Sequence, residues 1–287
     1  MSKRMAVPID GFSEPPPSVR VIRELADLVP ILEASRLYAA TAYGFLEPRL
    51  SARTTGYIAE QREGYSLLLS SSGSPTASLY CQGAVGGLDA ILRDAPLPRY
   101  SYITYEARHQ ELLKRHFMLR ELQSLARMSV TSATFQSVPS PAIALKPIDI
   151  NHANALYRSG GGVPLSQQYL KEGQYYGVWE GEKLVSIAGT QLLSEKYGLA
   201  VVANVFTHQS YRNRGYATQC VSALTGALLA RVPDVVLNVD PENAPAVRAY
   251  RKLGYQEQCR LAEAWAIWKG RSLFDRLLLF LYDWLVR

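Results

Sequence analysis

A chain of 287 residues with 31 Lys+Arg, 25 Asp+Glu, 48% apolar and 20% charged residues has the balance of a protein that folds around one or two cores, which excludes a disordered or coiled-coil chain. Its net charge of +6 is spread too thinly to call for nucleic acid and is equally well matched by an anionic small molecule. Cys81, Cys220 and Cys259 lie far apart with no metal-ligand spacing, so neither a disulfide framework nor a metal site is expected. No apolar leader follows Met1 and no run of ~20 apolar residues occurs, a pattern that favours a cytoplasmic protein.

In chain order, the apolar spacing of Val21, Ile22, Leu25, Leu28, Val29, Ile31 and Leu32 predicts a helix over 19–42 that Pro30 interrupts. Strands are predicted at 55–60, 65–70 and 77–82, with the Ser/Gly/Pro run 70–75 as the turn between the last two. A helix at 87–93, a strand at 100–105, a helix at 107–116 and a strand at 124–134 follow. Gln136-Ser137-Val138-Pro139-Ser140-Pro141 then breaks the pattern, because its prolines forbid helix and disfavour a sheet interior. The predicted organisation is therefore a first domain at 1–135, a linker at 136–141, a second domain at 142–270 and a carboxyl-terminal amphipathic helix at 271–287.

The second domain reads as a strand at 142–147, a helix at 150–157, a loop at Gly160-Gly161-Gly162, a helix at 165–171, and strands at 175–180, 184–193 and 198–207. A helix at 215–231, a strand at 234–239, a helix at 244–253 and a strand at 256–268 complete it. The expected fold class is α/β, a mixed sheet with helices on both faces. The layout of 100–134 repeats that of 235–268, with Phe117 near the place of Tyr255, which suggests an ancient duplication. In 271–287, Leu273, Phe274, Leu277, Leu278, Leu281, Trp284 and Leu285 form one apolar stripe, while Asp275, Arg276 and Asp283 argue against a bilayer span. Docking on the protein's own core is the first reading of this helix; a membrane surface or an oligomer contact is the other.

The segment richest in chemistry begins with the strand Val201-Val202-Ala203-Asn204-Val205-Phe206-Thr207, which runs into Tyr211-Arg212-Asn213-Arg214-Gly215-Tyr216-Ala217 as a helix begins. Such a turn gathers unpaired backbone N–H groups and the positive end of a helix dipole, an anion cradle. Gly215 and Ala217 leave the main chain approachable, and Arg212 and Arg214 can add charge-assisted contacts. Ala217, Cys220, Val221, Leu224 and Leu228 would anchor that helix on the sheet. A second strand, Val235-Val236-Leu237-Asn238-Val239, leads to Asn243, a candidate N-cap, and to Tyr250, which shares an apolar face with Ala246, Val247 and Leu253 before the helix terminator Gly254.

Taken together, Val205-x-Thr207, Arg212-x-x-Gly215-x-Ala217 and Asn243-x-x-Ala246-x-x-x-Tyr250-x-x-x-Gly254-Tyr255 resemble the GNAT superfamily of acyl-CoA-dependent N-acyltransferases over about residues 142–268. The whole chain is similar to two-part members such as glycine N-acyltransferase-like enzymes, with a degenerate first half. The resemblance implies a splayed central sheet whose strands 198–207 and 234–239 part to admit acetyl-CoA as co-substrate. It also implies that Val205, Phe206 and Thr207 pair with the pantetheine arm, and that Arg212, Asn213, Arg214, Gly215, Tyr216, Ala217 and Thr218 hold the pyrophosphate. Asn238, Asn243 and Ala246 would line the arm, and Tyr250 would stand near the sulfur as general acid.

Transfer would be direct, to a primary amine of a small molecule or a polypeptide, because Cys220 should face the sheet and is a poor candidate nucleophile. The general base stays open among Glu263, Asp240 and a water held by Asn204. Glu263, alternating with Trp265, also reads as a solvent-facing strand residue, and His208 reads as a turn residue. His109, His116 and His152 call for no metal. A non-catalytic acyl-CoA-binding regulator and, further off, an aminoacyl-tRNA-dependent transferase are the competing functional readings.

Overall fold

The structure, a computed structural model, describes residues 17–61, 64–73 and 76–270; the helix expected at 271–287 lies outside them. The alternation of Val19, Val21 and Ile22 produces an opening strand, β1 (Val19–Ile22), paired antiparallel with β2 (Thr54–Gln61), where a helix was expected. Short helical turns follow, among them α1 (Val29–Glu33), α2 (Tyr43–Leu46) and α3 (Pro48–Ser51). Pro30 sits in the first turn of α1, where its missing N–H costs no helical bond. β3 (Gly64–Ser71), β4 (Ala77–Gly83), α4 (Val85–Asp94), β5 (Tyr100–Tyr105) and α5 (Gln110–His116) then fall close to the expected positions. β6 (Phe117–Val130) starts earlier than the pattern suggested, because its first half is exposed and carries no apolar alternation to betray it. Residues 131–134, expected as its end, form a turn closed by Thr134 N donating to Thr131 O at 3.1 Å.

The second half runs β7 (Ile143–Ala144), α6 (Ile150–Arg158), α7 (Gln167–Glu172), β8 (Tyr175–Glu180), β9 (Lys183–Ser194) and β10 (Leu199–Thr207). It ends with α8 (Tyr216–Leu229), β11 (Asp234–Val239), α9 (Ala244–Lys252) and β12 (Gln256–Trp268). All strands join one 12-stranded sheet in the order β1-β2-β3-β4-β5-β12-β6-β11-β10-β9-β8-β7. Each half contributes an antiparallel run, one parallel pair (β4 with β5, β10 with β11) and a long last strand. Those last strands change places: β6 pairs with β11, β12 pairs with β5, and β6 and β12 pair with each other. The succession of strands and helices in residues 19–130 thus recurs in 143–268, and each half completes the other's sheet.

The exchange fixes where a site can form. Cys220, Val221, Leu224 and Leu228 of α8, all fully buried, pack on one face of the second half-sheet, while α6 and α7 pack with Leu184, Ile187 and Tyr175. Residues 28–46 enter a core shared with Leu67, Leu69 and Tyr80 of the first half and Leu199, Val201 and Val236 of the second. Each such side chain contributes about 1.5–3 kcal/mol on burial, so this wedge ties the halves together. Polar contacts fix its position. Arg36 Nε donates to Asp234 Oδ2 at 3.0 Å, Arg36 Nη2 donates to Tyr197 O at 2.7 Å, and the guanidinium of Arg127 on β6 donates to Leu37 O and Tyr38 O.

Candidate active site

β10 and β11 are paired from Leu199↔Asp234 to Val202↔Leu237 and no further, although both strands continue. The separation coincides with a bulge. The register of β10 against β9 shifts between Ala203 and Phe206, and Asn204 takes φ +55°, a left-handed conformation that Asn tolerates better than most residues. Two tyrosines hold the bulge: Tyr157 Oη donates to Asn204 O at 2.7 Å, and Asn204 Nδ2 donates to Tyr175 Oη at 3.0 Å. Beyond it, Phe206 and Thr207 resume pairing with Ile187 and Ser186 on β9, leaving the other edge of β10 without a strand. A cavity of about 640 Å³ lies at this gap and reaches between the halves, touching Val205, Asn204, Asn238, Asn243, Ala246 and Tyr250.

At the end of β10 the turn is built as the sequence suggests. His208 Nδ1 accepts from Ser210 N at 3.3 Å, which is the turn role expected for this histidine. Arg212 Nε donates to Thr207 O at 3.3 Å. Asn213 (φ +62°) and Gly215 (φ +81°) then swing the chain into α8. Gly215 is the N-cap, and no side chain caps the helix. A Cβ built at Gly215 meets nothing within 4 Å, so it is the backbone conformation, with open space in front, that calls for glycine. The first-turn N–H groups of Tyr216, Ala217 and Thr218 therefore face an open position at the positive end of a four-turn helix. Arg214 stacks over Tyr211 at 5.1 Å, and among the described residues neither Arg212 nor Arg214 has a carboxylate partner. This arrangement can bind a diphosphate.

Across the gap, Asn243 Oδ1 accepts from Ala246 N at 3.2 Å and caps α9, which leaves its amide NH₂ for the cavity. Tyr250 is 7% exposed and its hydroxyl has no partner among the described residues. Burial pushes its phenol up to about 12, so it is protonated at neutral pH. Cys220 faces the sheet as expected, and burial pushes its thiol up to about 11, a poor setting for a nucleophile. Asp240 Oδ1 accepts from Glu242 N at 2.9 Å in the turn before α9.

Glu263 does not face solvent. It lies in the cavity wall, with Oε2 accepting from Tyr102 Oη at 2.8 Å and Oε1 accepting from Thr104 Oγ1 at 3.3 Å and Asn238 Nδ2 at 3.4 Å. Asn238 Oδ1 in turn accepts from Arg127 Nε at 2.9 Å, so Asn238 links a buried guanidinium to a carboxylate. Sequence reasoning missed Tyr102, Thr104 and Arg127. No local signal marks them, because they meet Glu263 only through the exchanged strands.

The first half has a corresponding place. β4 and β5 pair only from Ala77↔Ser101 to Tyr80↔Thr104, and α4 starts just beyond β4. Here Gly83 N donates to Glu106 Oε1 at 2.9 Å, and His109 Nε2 donates to Gly83 O at 2.8 Å, so both backbone groups of Gly83 are taken. A cavity of about 880 Å³ adjoins, but no arginine precedes α4 as Arg212 and Arg214 precede α8. Among the described residues no group of three or more His, Cys, Asp and Glu side chains could hold a metal ion. No helix among them is long and apolar enough to cross a membrane.

A parallel strand pair that parts beside an uncapped, arginine-flanked helix start is the architecture of an acyltransferase. Residues 152–255 match the acetyltransferase (GNAT) family, and through this segment the chain belongs to that family. No curated protein matches the sequence. Among solved structures, a Drosophila protein superposes with TM-score 0.65 at 10% identity, covering 87% of this chain and 98% of that one. A GCN5-related N-acetyltransferase from Kribbella flavida gives TM-score 0.55 at 17% identity, covering 84% and 98%. A tandem GNAT protein from the clavulanic acid biosynthesis pathway gives TM-score 0.52 at 10% identity, covering 89% and 100%. At these identities the likeness is one of fold, and it extends over both halves.

Proposed function

We propose that this protein transfers an acyl group, acetyl in the first instance, from coenzyme A directly to the nitrogen of a primary amine. The observation that carries the reading is the gap between β10 and β11, which opens on one side to the free N–H groups of α8 and on the other to the unpartnered hydroxyl of Tyr250. Arg212, Arg214 and the amides of residues 215–218 would hold the diphosphate, and the free edge of β10 at Val205–Thr207 would take the pantetheine arm as an added strand. Acetyl-CoA brings the activated thioester. A main-chain N–H at the bulged part of β10 is placed to stabilise negative charge on the carbonyl oxygen, and Tyr250 to hand its proton to the departing sulfur. The first half, 1–135, would complete the acceptor side of the cavity, joined through the linker 136–141 to the acyl-CoA-binding part, 142–270.

The direct test is calorimetric titration with acetyl-CoA, followed by thiol release in the presence of amines. Micromolar binding with amine-dependent release supports the reading, and absence of binding removes it. Reversing the charge of Arg212 and Arg214 together to Glu should weaken acetyl-CoA binding by about tenfold to a thousandfold, since each charge-assisted contact is worth ~1.5–3 kcal/mol. The melting temperature without ligand should hardly change, because among the described residues neither side chain has a carboxylate partner to lose. Because Glu106 and His109 already occupy Gly83, titration should give one acetyl-CoA per chain; two equal sites would contradict this closure.

A further inference from the structure

We propose that Glu263 binds the ammonium group of the acceptor and takes its proton, and that the cavity accordingly selects amines that carry no carboxylate. The inference rests on the acyl-transfer reading above and names the substrate class of that same site. Glu263 arrives on β12 between two strands of the first half, β5 and β6, with its carboxylate turned into the cavity that Tyr250 and Asn204 also reach. Tyr102, Thr104 and Asn238 orient it through hydroxyl and amide donors, all neutral, so none of these contacts cancels its charge. Arg127 stands one residue further back, touching Glu263 only by way of Asn238, and does not line the cavity.

The composition of the wall gives the specificity. The cavity is lined by two carboxylates, Glu263 and Asp240, and by no Lys, Arg or His. A ligand ammonium would exchange water for Glu263 and the surrounding hydroxyl and amide oxygens. A ligand carboxylate would be desolvated with no cation to meet it and with two like charges nearby. An α-amino acid such as glycine is therefore a poor acceptor here, contrary to what similarity to glycine N-acyltransferase-like enzymes would imply.

The proton account closes. The ammonium gives one proton to Glu263, which later passes it to solvent. The neutral nitrogen forms the C–N bond as the C–S bond breaks, Tyr250 protonates the sulfur, and the nitrogen's second proton restores the Tyr250 hydroxyl. The products are amide, thiol and one proton.

The test uses pairs that differ only in the carboxylate: tyramine with tyrosine, histamine with histidine, cadaverine with lysine. Each is titrated calorimetrically into the full chain saturated with CoA and assayed for thiol release from acetyl-CoA. At least one amine should bind and react, with its amino acid partner about a hundredfold poorer in kcat/KM, the scale of one unfavourable buried charge contact. Glu263→Gln should raise the KM of that amine about tenfold, lower its kcat, and leave the acetyl-CoA Kd unchanged. Should Glu263→Gln fail to fold, the wild-type preference within the pairs still decides. An amino acid equal to or better than its amine, an amine unaffected by Glu263→Gln, or no turnover of any pair by protein that binds acetyl-CoA would each overturn the proposal. Failure to bind acetyl-CoA at all would instead overturn the parent reading.

Discussion

Replacing Tyr250 with Phe is expected to lower kcat by about a hundredfold or more while leaving acetyl-CoA affinity within about twofold, the range typical for loss of a general acid. The ring fills the space between α9 and the sheet and is retained in Phe. The hydroxyl has no partner among the described residues, so the folded state should shift by less than about 0.5 kcal/mol. Loss of turnover at constant melting temperature therefore isolates the proton-donating role. The pH dependence follows from the direction of the shift. Burial raises this phenol to about 12, so it stays protonated across the whole neutral and mildly alkaline range. A fall in rate beginning below pH ~10, the ordinary phenol value, would have to come from another group. The same shift affects stability. Tyr250 binds its proton more tightly when folded, so its contribution is complete below pH ~10 and is lost as pH rises through about 12. The Phe variant should lack that alkaline component. Unchanged turnover in Tyr250→Phe would remove Tyr250 from the mechanism.

Arg127→Met should destabilise the protein by about 3–5 kcal/mol, a large share of the ~5–15 kcal/mol that holds a typical protein folded. The guanidinium is wholly buried on β6, and burial lowers its pKa without a carboxylate in contact to offset that cost. Its hydrogen bonds go to Leu37 O, Tyr38 O and Asn238 Oδ1, which belong to the wedge and to β11. Methionine fills the volume but leaves two carbonyls and an amide oxygen without donors where water does not reach. Arg127→Lys keeps the charge but not the planar fork, and should fall between. Urea denaturation measures both. A Met variant within 1 kcal/mol of wild type would mean that the wedge is held by its apolar contacts alone.

The competing reading of a non-catalytic acyl-CoA binder drew its force from the lack of a carboxylate on β10. The structure supplies Glu263 from another strand, in the cavity that Tyr250 reaches. The missing residue was therefore not a missing function, only one delivered from elsewhere in the sheet. Glu263 was a candidate in the sequence, but alternation with Trp265 assigned it to a solvent face. That inference fails because β12 is central, and its two faces meet the wedge side and the helix side of the sheet rather than water.

What the sequence determined by itself is what short-range chemistry controls. Gly215 was legible because a left-handed residue at a helix start demands it, Asn243 because an N-cap precedes its helix, and Tyr250 because helical periodicity puts it on the face of Ala246 and Val247. β5, β8, β11 and β12 were legible at their bounds, since apolar runs bracketed by turn residues carry their own signal. Only the tertiary structure decided that β6 and β12 exchange partners, that residues 28–46 wedge the halves together, and that Tyr102, Thr104, Asn238 and Glu263 converge. Tyr102 and Glu263 are 161 positions apart, and which of two equivalent neighbours a long strand pairs with depends on the packing of the whole chain rather than on any spacing written along it.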